Sequence, residues 1–340
     1  MSEIDGGALR IGVVGATGAV GREVVGVLDR ATWRPATMVP LARATTATSH
    51  VEYGEERVPV DDVEDEDLEA LDAIVLATPA EVAREVGEEA INEGVPVVDV
   101  SGALAELAGV PLVVPWINPE RLLEDRPVGV SLPSAGALLL GSVLGPLRRA
   151  GLEGPVSATV LAPASSWGRD GIDELAGQVR ALFNQETPPR KVLGQGLAFD
   201  LAPVVGELGA DGESTAEARV RADLARLVGL RPEAVQVDVV GVPVFSGMSA
   251  QLTVQSPRRV DAALVQRLLA DGGVVVPEGA SVRELPRPRR VDGEPFAHAG
   301  RIRVDEDGHI RAWLVMDNLR TVATAAVAAA AALLRLRQVD

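Results

Sequence analysis

The chain has 340 residues, no cysteine, 47% hydrophobic residues and a formal net charge of −17. That length predicts two domains, or one large one with a sizeable core. The absence of cysteine excludes disulfides, thiolate metal sites and thiol catalysis, and the acidic balance argues against a nucleic-acid partner. No metal site is expected. No run of about 18 apolar residues is free of charges and breakers, so no membrane partner is expected either. Met1–Arg10 lacks a basic segment followed by an apolar one, which makes the cytoplasm the expected location.

The first third reads as βαβ units. Leu9–Val14 is predicted as a strand and Ala19–Arg30 as a helix with Val20, Val24, Val27 and Leu28 on one face. Thr37–Ala42 is the second strand and Ala73–Ala77 a buried one. A helix follows from about Pro79 to Glu93, with Pro79 suited to its first turn. Val95–Val100 and Val110–Val114 continue the strand pattern. These elements predict an α/β domain: a Rossmann-type doubly wound parallel sheet.

The pattern then changes to an α+β domain. Gly136–Ala150 reads as a leucine-rich helix. Val156–Ala162, Val235–Val240, Ala250–Val254 and His309–Val315 read as longer strands, with helices at Gly171–Phe183 and Thr215–Leu227. Glu278–Gly293 alternates Pro and Arg and reads as a loop. The alanine-rich helix Leu319–Arg337 is expected to pack back on the first domain. The predicted division is 1–130 plus 319–340 for dinucleotide binding and 131–318 for the second domain.

The strand at Leu9–Val14 runs into Gly15-Ala-Thr-Gly18-Ala-Val-Gly21. Glycines after a strand and before a helix let backbone approach a pyrophosphate, and the helix start supplies N–H donors. Gly15, Thr17, Gly18, Ala19, Val20 and Gly21 are therefore the candidate cofactor contacts. The spacing GxxGxxG differs from the commoner GxGxxG, and a tight turn without ligand has the same form. After the second strand come Arg43, Thr45 and Thr46, with no carboxylate, which favours NADP over NAD. Short-chain-dehydrogenase chemistry needs a Tyr-x-x-x-Lys pair. The only tyrosine, Tyr53, has Arg57 four residues on, and the only lysine, Lys191, is distant.

Taken together, the chain resembles the aspartate-semialdehyde dehydrogenase family over nearly its whole length. The resemblance is carried by Gly12–Gly21, Val110–Pro119, Gly171–Leu175, Leu197–Asp200, Val242–Gly247, Gly300–Arg303 and Asp317–Arg320, in that order. It implies a homodimer formed through the second domain and NADP as cofactor, with Asn318 among the cofactor-binding residues. In that family a cysteine attacks the aldehyde. Counting back from Pro146-Leu147 places it on Ala135, with Ser134 before it. The carbonyl-orienting glutamine falls on Ala162, the substrate-gripping arginine on Gly241, the general-base histidine on Met248 and a phosphate-binding arginine on Ala105. Glu217 and Arg219 fall on a substrate-binding stretch. Trp167 stands where the family prefers a small residue and is expected to narrow the nicotinamide pocket.

A methyl group cannot form a thioester, and the pattern looks like the cysteine-free Usg-type paralogues. The resulting expectation is a catalytically inactive homologue that keeps the fold and a site for a nucleotide or a small acidic ligand. The alternative is an active NADP-dependent oxidoreductase acting on a semialdehyde or related small substrate without cysteine. Ser134 and Ser131 are its candidate hydroxyls, and a serine needs an adjacent base. None of His50, His298 or His309 lies in a segment that supplies one.

Overall fold

A computed structural model describes residues 4–43, 49–278 and 281–338. The chain divides into two compact units, Met1–Pro133 with Val322–Asp340, and Ser134–Thr321. In chain order the first unit contains β1 (Arg10–Val14), α1 (Ala19–Asp29), β2 (Thr37–Ala42), β3 (His50–Tyr53), β4 (Glu56–Pro59), β5 (Asp61–Asp62), β6 (Ala73–Leu76), α2 (Ala80–Asn92), β7 (Val97–Asp99), α3 (Glu120–Asp125) and β8 (Gly129–Ser131). The second contains α4 (Ala135–Arg149), β9 (Val156–Ala162), α5 (Gly168–Phe183), α6 (Thr215–Val228), β10 (Val235–Gly241), β11 (Met248–Gln255), α7 (Ala262–Asp271), β12 (His298–Val304) and β13 (His309–Met316). The last helix, α8 (Arg320–Arg337), belongs to the first unit from Val322 onward.

The first unit is built on a parallel sheet ordered β5-β2-β1-β6-β7-β8. All four residues of β6 are buried, which is why it reads as a continuous apolar run rather than an alternation. The strand order reverses between β1 and β6, so the glycine turn after β1 lies at the switch point of the sheet. Asp99, at the end of β7, is fully buried. Its carboxylate accepts Ser101 N–H and Oγ–H at 2.7 Å each, Leu104 N–H at 2.9 Å and Ser131 Oγ–H at 2.6 Å, so the buried charge is compensated by four donors.

Val110–Val114 is not a strand. Only Leu112 bridges to Ser131 of β8. Pro111 and Pro115 remove two ladder donors, and the Asn118 amide takes the Val114 N–H and donates to Leu112 O, both at 2.9 Å. Pro79 is the N-cap of α2 rather than part of its first turn. The elements β8, α7, β12 and the β3–β4 hairpin have no counterpart in the sequence-based assignment.

The second unit has a mixed sheet ordered β10-β9-β11-β13-β12. Its core helix is α4, in which every residue from Gly136 to Leu147 is buried. A helix apolar on all sides is a helix covered on all sides. Each fully buried leucine there contributes about 1.5–3 kcal/mol relative to exposure. Helix α6 opens with a capping box: Ser214 Oγ accepts Glu217 N–H at 3.3 Å, and Glu217 Oε2 accepts Ser214 N–H at 2.7 Å.

Helix α5 fixes the loop that follows it. The Glu174 carboxylate accepts the N–H groups of Lys191 and Val192 at 2.8 Å and of Leu193 at 2.9 Å. Gln178, fully buried, accepts from Leu197 and Ala198 and donates to the carbonyls of Pro189 and Gln195. Two side chains one turn apart thus replace a ladder for the segment 189–198. Burial raises the Glu174 pKa, but the three backbone donors and the Gln178 side chain outweigh it, and the net shift is downward. A lowered folded pKa gives stability that is present above the unfolded glutamate value of about 4.3 and is lost as pH falls through the folded pKa below it. Glu174→Gln is therefore expected to flatten the acid limb of the stability profile below that pH. At neutral pH it should cost about 1–3 kcal/mol. Urea unfolding followed from pH 3 to 7, as a roughly chosen window around the carboxylate range, checks both; an acid limb unchanged by the substitution would remove Glu174 from the account.

Candidate functional site

The glycine turn is shaped by close backbone approach. Gly15 has φ +82°, and a Cβ on it would lie 2.4 Å from Ala77 O. Gly21 sits in the first turn of α1, and a Cβ there would lie 2.1 Å from Gly15 O. Gly15 N–H donates to Leu41 O at 2.8 Å, Gly18 N–H to Gly15 O at 3.0 Å, and Arg22 Nε to Thr17 O at 3.0 Å. Gly18 is the N-cap of α1 and has no side chain to cap it. Beside the turn, Thr78 Oγ1 is buried without a hydrogen-bond partner. An uncapped helix start, glycines that allow no Cβ and an orphaned hydroxyl next to them fit a phosphate group.

Of the ribose candidates, Thr45 lies outside the described residues. Arg43 follows β2 as expected, but its Nη2 is paired with Glu85 Oε2 of α2 at 2.5 Å. Strand β5 sets Asp61 and Asp62 opposite Leu41 and Ala42 of β2. The end of β2 therefore has carboxylates around it that the local sequence lacks. Ala105 lies in the short 3-10 turn Ala103–Glu106.

In the second unit the sheet register gathers three of the predicted reaction positions. Gly241 of β10 stands opposite Ala162 of β9, and Met248 of β11 opposite Met316 of β13. The antiparallel pairing of Ser249 with Leu161 runs on to set Met248 beside Ala162. Directly opposed residues on neighbouring strands share a face, so Gly241, Ala162, Met248 and Met316 form one cross-sheet row, buried along its length. No member carries a polar side-chain group beyond the thioether.

The space at Gly241 is filled. Ala202 pairs with it through two backbone hydrogen bonds of 2.9 and 2.8 Å. A Cβ on Gly241 would lie 2.8 Å from Ala202 Cβ and 3.4 Å from Trp167 Cη2. The Trp167 indole packs into the small cluster of Ala164, Leu175, Leu193, Leu197, Ala198 and Ala202. Val244 O and Phe245 O accept the N–H groups of Ala164 and Ser165 at 2.8 and 2.9 Å, which fastens the loop after Gly241 to the turn before α5.

Ala135 is the first residue of α4. Ser134 before it donates its N–H to Asp223 Oδ2 at 2.7 Å, while its Oγ is buried without a partner. Arg219 Nε is paired with the same Asp223 oxygen at 3.5 Å. Glu217 is spent on structure, because its second oxygen accepts Val239 N–H at 3.0 Å. Asn318 is buried and its Oδ1 accepts Ser165 Oγ–H at 3.1 Å and Gly247 N–H at 3.0 Å. In the first unit, Ser131 Oγ is bonded to Asp99.

Sequence reasoning missed Glu85, the cover over Gly241, and a grouping of Asp305, Asp307 and His309 at the β12–β13 turn. In that last grouping the Asp305 carboxylate is already engaged by Arg311 at 3.2 Å and by His309 N–H at 2.8 Å. Among the described residues no helix is long and apolar enough to cross a membrane.

The fold is a dinucleotide-type parallel sheet in one unit and a mixed sheet with a buried leucine helix in the other. The family models agree with it. Residues 10–124 match the semialdehyde dehydrogenase NAD binding domain, and residues 144–321 match the semialdehyde dehydrogenase dimerisation domain. The chain is 34% identical over 319 residues to a USG-1 protein homolog of Pseudomonas aeruginosa, covering 92% of this chain and 93% of the other. It is 30% identical over 315 residues to the aspartate-semialdehyde dehydrogenase of Rickettsia bellii, covering 91% and 93%. The crystal structure of aspartate semialdehyde dehydrogenase II from Vibrio cholerae complexed with ASA superposes with a TM-score of 0.90 at 27% identity, covering 96% of this chain and 98% of the other. The chain belongs to the aspartate-semialdehyde dehydrogenase family, with Usg-type proteins among its relatives.

Filling of the Gly241 position makes any larger side chain there costly. Gly241→Ala is expected to destabilise the protein by about 1–3 kcal/mol and Gly241→Arg by more. Combining Gly241→Arg with Trp167→Ala should recover only part of the loss, because Ala202 is the nearer neighbour. Urea midpoints measure this, and an unchanged midpoint for Gly241→Arg would show that the space is open.

Proposed function

We propose that this protein is a member of its family that has lost the covalent dehydrogenase reaction and keeps a nicotinamide-dinucleotide site at Gly15–Gly21. The observation that carries the reading is the buried apolar row Gly241, Ala162, Met248. The resemblance assigns these places to the groups that grip the substrate, orient its carbonyl and move its proton, and none of the three residues can do so. Ala135 has no nucleophile to offer. Loss of a general base alone removes typically about 10²–10⁴-fold of rate, and loss of the nucleophile closes the thioester route altogether. A bound nicotinamide supplies hydride exchange. The chain's own contribution is the turn: backbone donors at the start of α1 and the Thr78 hydroxyl for phosphate. Arg43, beyond β2, is the group a ribose 2′-phosphate of NADP would meet.

The alternative, a serine-based oxidoreductase, has one observation in its favour, the buried and unpartnered Ser134 hydroxyl. Against it, Asp223 accepts the Ser134 N–H and not the hydroxyl, so that carboxylate is not placed as its base.

The purified protein is expected to show no NADP-dependent turnover of aspartate semialdehyde with phosphate, yet to give heat on titration with a nicotinamide dinucleotide. Gly21→Ala should abolish that heat by displacing the turn. A steady-state rate that disappears in Ser134→Ala would overturn the loss of catalysis. Absence of heat at millimolar dinucleotide would overturn the binding site.

We further propose a homodimer formed through the second unit. The dimerisation-domain match supports it. So does the exposure of Phe183 at 77% and Phe199 at 69%, which meet edge to face at 5.9 Å between ring centres. In the proposed dimer a second copy would cover this apolar pair. Light scattering is expected to give twice the chain mass of 35.4 kDa, and Phe183→Glu with Phe199→Glu to shift it toward the monomer. A parent protein that scatters as a monomer at micromolar concentration would exclude the dimer.

A further inference from the structure

The end of β2 carries an arginine that sequence alone assigns to a 2′-phosphate, and the structure surrounds that arginine with acid. Arg43 lines a cavity of about 210 Å³ together with Glu64, Glu66, Glu85 and Glu89. Glu85 holds its guanidinium at 2.5 Å, and Glu66 is itself paired with Arg10 at 3.2 Å. Counting both arginines, the four carboxylates leave an excess of negative charge. A cavity of that volume is only about 7 Å across, less than the screening length of about 8 Å at physiological salt, so these charges act on one another and on anything placed among them. Strand β5 adds Asp61 and Asp62 opposite the last two residues of β2.

At the end of this strand a carboxylate suits a ribose bearing a free 2′-hydroxyl, to which it can accept a hydrogen bond, whereas a free arginine suits a 2′-phosphate. A phosphate monoester carries about −1.5 to −2 charges at neutral pH. At Arg43 it competes with Glu85 for the guanidinium and sits beside the remaining carboxylates. A neutral hydroxyl meets no such repulsion.

We propose that Glu85 is a specificity residue: by holding Arg43 inside this acidic cavity, it makes the protein select dinucleotides with a free ribose 2′-hydroxyl, the NAD class, over those with a 2′-phosphate. The proposal rests on the nucleotide site at Gly15–Gly21 and reverses the preference that Arg43 alone suggests. Calorimetric titration of the full chain with NAD and with NADP separates the two. The parent is expected to bind NAD about tenfold or more tightly than NADP. Glu85→Gln, and Glu85→Ala as a second variant, are expected to improve NADP binding about tenfold while leaving NAD within about twofold. Both substitutions lie on an exposed helix face, and an unchanged melting temperature verifies the fold. Arg43→Ala in the Glu85→Gln background should remove the NADP gain. A parent that prefers NADP, or a ratio unmoved by both Glu85 variants, overturns the specificity role while leaving the nucleotide site standing. No heat with either dinucleotide overturns the nucleotide site and the preference with it.

Discussion

The register of the five-stranded sheet is the constraint on which the second unit depends. Side chains alternate faces along a strand with a period of two, so a slip of one residue would send every inward group outward. Held in register, β10, β9, β11 and β13 bring Gly241, Ala162, Met248 and Met316 to one level. These residues are far apart in sequence and adjacent in space. A site built this way stands or falls as a row. A lone polar residue kept at that level would be buried among apolar neighbours without a partner, at a cost of about 1–3 kcal/mol. With apolar residues at all three positions, the row carries no such cost.

The same sheet explains why the space did not stay open. Gly241 lacks a side chain, and a void there would forfeit contacts on every surrounding atom. The segment 189–202 closes it. That segment is anchored not by a ladder of its own but by Glu174 and Gln178 of α5, which accept five of its N–H groups between them. Trp167, at the head of the same helix, fills the remaining volume beside Ala202. One helix thus carries both the filler and the fastening. The packing gain at Gly241 is tied to the fold of the neighbouring loop, so the position cannot be edited alone.

What was legible in the sequence follows from how far each signal reaches along the chain. The strands β1, β2, β6 and β9 show as short apolar or alternating runs, because burial on one or both faces writes that pattern locally. β12 is an edge strand with a bulge between Gly300 and Arg303 and carries two arginines, so its alternation is broken. β8 is only three residues long and α7 only ten, too short for a clear period. Val110–Val114 shows the reverse case: its apolar run has the look of a strand, while Pro111, Pro115 and the Asn118 amide decide its hydrogen bonding. At the site, Arg43 was visible but its meaning was not. Its partner Glu85 lies 42 residues away on another element. The aspartates beside β2 arrive through a two-residue edge strand that no periodicity could announce. The residues aligned to the family's reacting groups were legible, but their gathering into one row required the register.

The glycine turn has to be judged by the same physics. Gly21 and Gly15 exclude any Cβ because backbone oxygens occupy the place it would take. Both are therefore required for the strand-to-helix turn to close at all, and their presence alone argues for folding before it argues for a ligand. The case for a nucleotide rests instead on features that packing does not demand. Gly18 leaves the start of α1 without a side-chain cap, although serine, threonine, aspartate or asparagine there would add roughly a few tenths of a kcal/mol. Thr78 keeps a buried hydroxyl unpaired in the same place, where an apolar side chain of similar size would cost less. Both features lie at the switch of strand order, where the proposed anion would meet them. Nothing comparable survives at the apolar row of the second unit. There the side chains are apolar and Ala202 and Trp167 close the space at Gly241, so the row leaves no polar side chain without a partner.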